Sequence, residues 1–187
     1  MGISKEEYKE RREKLMEKLP DYPLVFIGNK LRNRINDTEY EFRQESNFYY
    51  LSGFNEPEAF LILSKKAFLF KGKRVNELIF VPEGDLFSKN WTGKCLGTKG
   101  AVDLLGFENA SASFSGNRMD QINNFEVFMK ELVKEFPQFY LMTGTLDVQT
   151  AKDKRSYFQR YKDDLLELLQ VESIDTKIKE VPQSPLI

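Results

Sequence analysis

The chain has 187 residues, 41% of them hydrophobic, and its 28 basic and 29 acidic side chains leave a net charge of −1. That size suits one domain with a sizeable core, and the balanced charge leaves no electrostatic footprint for nucleic acid or an anionic membrane. Histidine is absent and cysteine occurs once, at Cys95, which excludes Ser-His-Asp triads, Cys-His dyads, His-rich zinc sites and any internal disulfide.

In chain order, Ser4 with Glu7 three residues later fits a capping box. Tyr8, Leu15, Met16 and Leu19 then recur at helical spacing, so a helix is expected up to about Pro20. Leu24 to Ile27 is a continuous apolar run closed by Gly28 and reads as a strand buried on both faces. Residues 29–47 are polar and aperiodic, a long loop or a set of short edge elements. Phe48 to Leu51 reads as a short strand or turn leading to Gly53. Residues 59–63 and 67–70 read as two strands joined by Ser64-Lys65-Lys66, and residues 77–81 as another ended by Pro82, together a meander.

Farther along, residues 98–105 form a short expected helix with Gly106 as its C-terminal cap. A brief strand is expected at 112–114. Residues 119–136 carry the clearest helical stripe, Ile122, Phe125, Met129, Leu132, Val133 and Phe136, stopped by Pro137. A strand at 139–142 and a second strong helix at 150–170 follow, and the stretch after Ile174, with Pro182 and Pro185, reads as a linker. Strands alternating with helices argue for an α/β protein, a mixed sheet with helices on its faces. No run of about 20 apolar residues is present for a bilayer span. The polar N-terminus does not read as a signal peptide. A lone cysteine favours a reducing compartment, and the expected location is cytoplasmic.

The most informative stretch is residues 37–59. It places an acidic, aromatic loop (Asp37 to Phe42) before Arg43-Gln44, then Ser46-Asn47, the aromatic run Phe48-Tyr49-Tyr50, and Ser52-Gly53-Phe54-Asn55-Glu56-Pro57. A second group follows: Asn90-Trp91-Thr92-Gly93, then Leu96-Gly97, then Gly100-Ala101. Together with the paired Arg11 and Arg12 after Tyr8, these motifs closely resemble the N-terminal domain of the aminopeptidase P family over residues 5 to about 135. The resemblance implies a creatinase/aminopeptidase P N-terminal-like fold of ribonuclease H-like topology. It implies a domain at 1–175 and a linker at 176–187, leading to a C-terminal catalytic domain of pita-bread fold.

Full-length members of that family remove an N-terminal residue that precedes proline, using two metal ions, usually manganese, held by Asp, Glu and His in the C-terminal domain. The resemblance therefore implies that this chain is non-catalytic on its own, with no catalytic residue and no metal site. Its implied partners are the catalytic domain of the same protein, further copies in a homo-oligomer, and peptides with proline second. Asp37, Arg43 and Trp91 match positions at the mouth of the active site or of a neighbouring subunit's cleft. Gln44, Phe48, Tyr50, Gly53, Glu56, Pro57, Gly93 and Gly97 match motif positions expected to act structurally. Arg43 and Gln44 are expected to hold the long loop by hydrogen bonds. Asn55 to Pro57 is expected to form a turn, and the glycines to supply backbone freedom. Trp91 has a second reading, as an aromatic plug on the sheet. Cys95 is a poor candidate nucleophile, because no histidine exists to activate it. Two other functions fit the same motifs: the equivalent domain of a prolidase-like dipeptidase, and a stand-alone module that binds peptides or proteins.

Overall fold

The computed structural model describes residues 2–31, 33–35, 38–39, 41–83, 95–115, 121–136, 138–142 and 179–180. Helix α1, Lys5–Lys18, starts as expected: Ser4 is extended and its Oγ accepts the Glu7 N–H at 3.3 Å. It stops at Leu19, ahead of Pro20. Strand β1, Leu24–Ile27, is buried throughout. Short strands β2 (Asn33–Ile35) and β3 (Thr38–Glu39) form an antiparallel pair inside the stretch read as edge elements.

Helix α2, Ser46–Ser52, stands where a strand or turn was expected. Its aromatic run favours strand locally, but capping decides against it. Glu45 accepts the Phe48 N–H at 2.7 Å, and Gly53, left-handed at φ 68°, donates its N–H to the Tyr49 carbonyl. The helical period then buries Phe48 and Leu51 and leaves Tyr49 and Tyr50 outside.

The next two strands are β4, Phe60–Phe70, and β5, Lys73–Val81, a single antiparallel hairpin. The expected break at Ser64-Lys65-Lys66 is an irregularity within one strand. Leu63 pairs with Glu77 and pairing resumes at Phe68 with Val75, so residues 64–67 lie opposite Asn76 alone. Asn76 Nδ2 closes the bulge by donating to the Ser64 and Lys65 carbonyls at 2.9 Å each, and Ser64 Oγ donates to the Lys66 carbonyl.

Helix α3, Gly97–Leu105, ends on Gly106 as expected. Strands β6 (Ala110–Ala112) and β7 (Phe114–Ser115) follow, and β7 pairs with β8, Ile122–Asn123. Helix α4, Asn124–Glu135, is therefore shorter at its start than the periodicity predicts. Asn123 ends the strand and caps the helix: its Oδ1 accepts the Glu126 N–H, and its Nδ2 donates back to Glu126. Ile122 consequently lies off the core stripe, 52% exposed, and Phe128 joins the stripe. Strand β9 is Tyr140–Met142. The helix expected at 150–170 lies outside the described residues. Within the stretch read as a linker, β10, Lys179–Glu180, pairs parallel with β9.

The main sheet runs β10-β9-β1-β4-β5-β6, antiparallel at β1/β4 and β4/β5 and parallel at the other pairings. It is the expected mixed sheet, with helices on both faces. Strand alternation divides the core in two. Val25, Ile27, Phe60, Ile62, Leu78, Phe80 and Leu141 face α4. Leu24, Phe26, Leu61, Leu63, Ile79 and Val81 face α1, α2 and α3. On the α4 side Phe125 stacks flat on Phe60, ring centroids 4.0 Å apart, and meets Phe80 edge-on. No helix among the described residues is long and apolar enough to cross a membrane.

The helical layer of α1, α2 and α3 is fastened by a buried ion pair. Arg12 lies on the α1 stripe four residues after Tyr8 and is fully buried. Its Nε donates to Glu77 Oε2 of β5 at 2.7 Å. Its two Nη atoms donate to the carbonyls of Leu51, Leu105 and Gly106, and the guanidinium lies 3.9 Å over the Phe107 ring. Glu77 Oε1 accepts the Glu108 N–H at 3.1 Å. Removing Arg12 would strand a buried carboxylate and three carbonyls. Arg12→Ala is expected to lower unfolding free energy by about 3–5 kcal/mol, read as a fall in urea midpoint, whereas an unchanged midpoint would show the pair to be dispensable.

Candidate functional site

The Arg43-Gln44 loop is held to the sheet by one amide. Gln44 is buried, its Oε1 accepts the backbone N–H groups of Asn29 (2.7 Å) and Glu45 (2.9 Å), and its Nε2 donates to the Glu56 carbonyl (2.9 Å). Glutamine suits the position because one side chain supplies both acceptor and donor, as a backbone peptide would. The fit leaves no spare room: a Cβ on Gly28 would stand 2.8 Å from the Ala59 carbonyl and 3.1 Å from Gln44. Arg43 takes part through its backbone, whose carbonyl accepts from Asn29 Nδ2 at 2.8 Å. The residue is exposed, and its guanidinium has no hydrogen-bond or ion-pair partner among the described residues.

Glu56 makes a second tie, in the turn expected at Asn55 to Pro57. Its Oε1 accepts the Leu96 N–H at 2.7 Å, and its Oε2 accepts from Cys95 Sγ at 2.9 Å. The thiol also reaches the Pro82 carbonyl at 3.2 Å. Burial, with the Glu56 carboxylate beside it, pushes the Cys95 thiol up to about 11. A thiol so strongly protonated at neutral pH serves here as a hydrogen-bond donor. Gly97 follows at φ 63°, where a Cβ would meet Glu83 Oε2 at 2.8 Å, and Glu83 accepts the Thr98 N–H. Gly53 is tighter still, its absent Cβ lying 2.5 Å from the Tyr8 ring. Both glycines thus supply the backbone freedom expected of them.

Between the start of α1 and the outer face of α2 lies an open cleft of about 610 Å³. Arg11 forms one wall. It pairs with Glu7, donates to the Tyr50 carbonyl at 3.0 Å and stacks 4.2 Å over the Tyr50 ring. Tyr49 and Tyr50, both more than 40% exposed, and Ile3 supply apolar surface. Arg43, Gln44, Ser46 and Asn55 complete the lining, and none of these residues is a carboxylate. Burial raises the Tyr8 phenol behind Tyr49 above its ordinary range, and contact with Tyr49 adds to the rise.

The structure thus brings Arg43, Gln44 and Tyr50 to one cleft. Phe48 lies instead in the core, fully buried, and Glu56 and Pro57 form the neighbouring turn. Asp37, Trp91 and Gly93 lie outside the described residues. Sequence reading missed the cleft's other wall, Arg11 with Tyr49, Ser46 and Asn55. The available signal was the i,i+4 spacing of Glu7 and Arg11 beside the stripe residue Arg12. Among the described residues no three His, Cys, Asp or Glu side chains gather to hold a metal ion.

A family model described as "Aminopeptidase P, N-terminal domain" matches residues 8–140. The Xaa-Pro aminopeptidase of Haemophilus influenzae is 31% identical over 139 residues, which cover 74% of this chain and 29% of that protein. Xaa-Pro aminopeptidase 3 of Mus musculus is 36% identical over 121 residues, covering 58% of this chain and 23% of that one. Among solved structures, aminopeptidase P from E. coli with the inhibitor Pro-Leu superposes at a TM-score of 0.67 with 26% identity, over 91% of this chain and 33% of that one. The matched region therefore spans 23% to 33% of the length of these three proteins.

The raised Cys95 thiol makes a kinetic prediction. Alkylation of the folded chain by iodoacetamide is expected to accelerate about tenfold per pH unit up to pH 10 without a plateau, because only the thiolate reacts. Glu56→Gln removes the opposing carboxylate and is expected to raise the rate at pH 8. A plateau near pH 9 in the unaltered chain would contradict the assignment.

Proposed function

The chain belongs to the aminopeptidase P N-terminal domain family, and from that premise we propose that it serves as the non-catalytic N-terminal domain of a Xaa-Pro aminopeptidase. The observation that carries the reading is the family match over residues 8–140 in a chain that contains no histidine. The matched regions cover only 23% and 29% of the relatives named Xaa-Pro aminopeptidase. In this reading the bond-breaking chemistry belongs to the part of such a protein that this chain does not cover.

That chemistry would use two metal ions, with manganese the proposed pair, to activate water and stabilise the attacked carbonyl. The residues of this chain do not fit such a centre: histidine is absent, and no ligand cluster gathers among the described residues. No step of the reaction is therefore assigned to it. Its proposed work is to shape the mouth of the active site and to join copies of the protein. Arg43 supports the first role, as an exposed cation with no partner among the described residues, on an open cleft whose backbone the Gln44 hydrogen bonds hold. Asp37 and Trp91 are proposed beside it, the carboxylate for a peptide's free amine and the indole for stacking. Exposed Tyr49 and Tyr50 supply apolar surface for contact with another domain or copy.

The purified chain, given manganese and a peptide with proline second, is expected to release no N-terminal residue. Turnover that persists through rigorous purification would overturn the non-catalytic reading. In a chain that also carries the catalytic part, Trp91→Ala is expected to keep the fold, by circular dichroism, and to lower kcat/KM about fivefold. An unfolded variant would assign Trp91 to the core instead.

A further inference from the structure

We infer that the cleft between α1 and α2 is a carboxylate-recognition site for a peptide segment that carries an aromatic or large apolar side chain next to its carboxylate. This deepens the mouth reading above and rests on it only for the choice of a peptide as ligand.

The argument starts from charge. Arg11 is offset by Glu7, but the Arg43 guanidinium faces solvent with no partner among the described residues. Among the described residues no carboxylate lines the cleft to compensate it. An arginine fork matches a carboxylate in shape and takes it bidentately. The second element is apolar. Ile3, Tyr49 and Tyr50 are 43%, 43% and 41% exposed and converge on the same cleft. A hydrated inorganic anion such as phosphate has no use for such walls, whereas a phenyl or leucyl side chain would bury against them. The third element is rigidity. Gln44 anchors the backbone beside Arg43 through three hydrogen bonds, and Arg11, stacked on Tyr50 and bonded to its carbonyl, holds the opposite wall. A cleft whose walls are already ordered loses less entropy when a ligand enters. Cation, apolar wall and fixed frame together define a carboxylate beside an apolar group. In a peptide that carboxylate has two sources, the C-terminus or an Asp or Glu side chain.

The test is a nitrogen-15 NMR titration of the whole 187-residue chain at low salt. The probes are N-acetyl-phenylalanine, its amide, and an amidated peptide with glutamate beside phenylalanine. N-acetyl-phenylalanine or the glutamate peptide is expected to shift the amides of Ser46, Tyr49, Tyr50 and Asn55. The stronger of the two identifies the source of the carboxylate. The uncharged amide is expected to bind about tenfold more weakly. Arg43→Ala, at an exposed position, is expected to keep the spectrum of the fold and to weaken the carboxylate probe about tenfold, with Arg43→Lys retaining part of the affinity. Equal binding of acid and amide, shifts confined to other surfaces, or an Arg43→Ala titration identical to the parent would overturn the inference. So would shifts of the same amides with chain concentration alone, which would make a second copy the occupant. No hydrolysis is measured, so a failure here leaves the non-catalytic reading standing, and turnover in the peptidase assay leaves this result standing.

Discussion

The packing of this protein turns on one guanidinium taken out of water. A buried charge is tolerated only when it is paired and hydrogen-bonded. Arg12 meets this with a carboxylate from β5 and with carbonyls from the ends of two helices, Leu51 in α2 and Leu105 with Gly106 at α3. Those carbonyls belong to last turns, where no further helical N–H is available and the helix dipole is negative. One cation thus answers two helix termini at once. Its partner Glu77 uses its other oxygen on the Glu108 N–H, so the chain leaving α3 is fastened as well. The three helices on that face are therefore positioned by directional bonds in addition to the apolar contacts of Leu51, Ala101 and Phe107.

The exposed chemistry follows from that buried one. Successive residues on a helix stand about 100° apart, so fixing Arg12 inward turns Arg11 toward the outer face of α2. There it binds the Tyr50 carbonyl and covers the Tyr50 ring. On the other side of the cleft, polar side chains act as substitutes for backbone: Gln44 completes the hydrogen bonds of Asn29 and Glu56, and Glu56 those of Leu96. A loop so anchored can present Arg43 without tying up its charge. This separates the residues that hold shape, Gln44, Glu56 and Cys95, from those left exposed, Arg43 and the tyrosines. The division suits the proposed role of a domain that presents a surface.

Much of the fold was legible because its signals are local. The Ser4 cap, the buried strand before Gly28, the α3 stop at Gly106 and the helical stripe from Phe125 to Phe136 each depend on residues within a few positions. Misreadings arose where two local signals compete. Phe48 to Leu51 has strand-forming aromatics and a helix cap in Glu45, and the cap with Gly53 prevails. Ser64 to Lys66 looks like a turn but is a bulge, because Asn76 of the facing strand satisfies its carbonyls. Ile122 continues the helical periodicity yet pairs with Ser115 in a strand, so the helix begins only after the Asn123 cap.

By itself the sequence determined the class of fold, the family through the ordered motifs around Arg43-Gln44 and Glu56-Pro57, and the exclusion of histidine chemistry. Each of these follows from residue identity and order. Only the tertiary structure decided which charge is buried and which is offered. Arg12 and Arg11 are neighbours of the same type in sequence. Arg12 reaches Glu77 and Gly106, 65 and 94 residues away, while Arg11 turns to the cleft. Burial depends on partners that the chain brings close only by folding, and no local pattern carries that information.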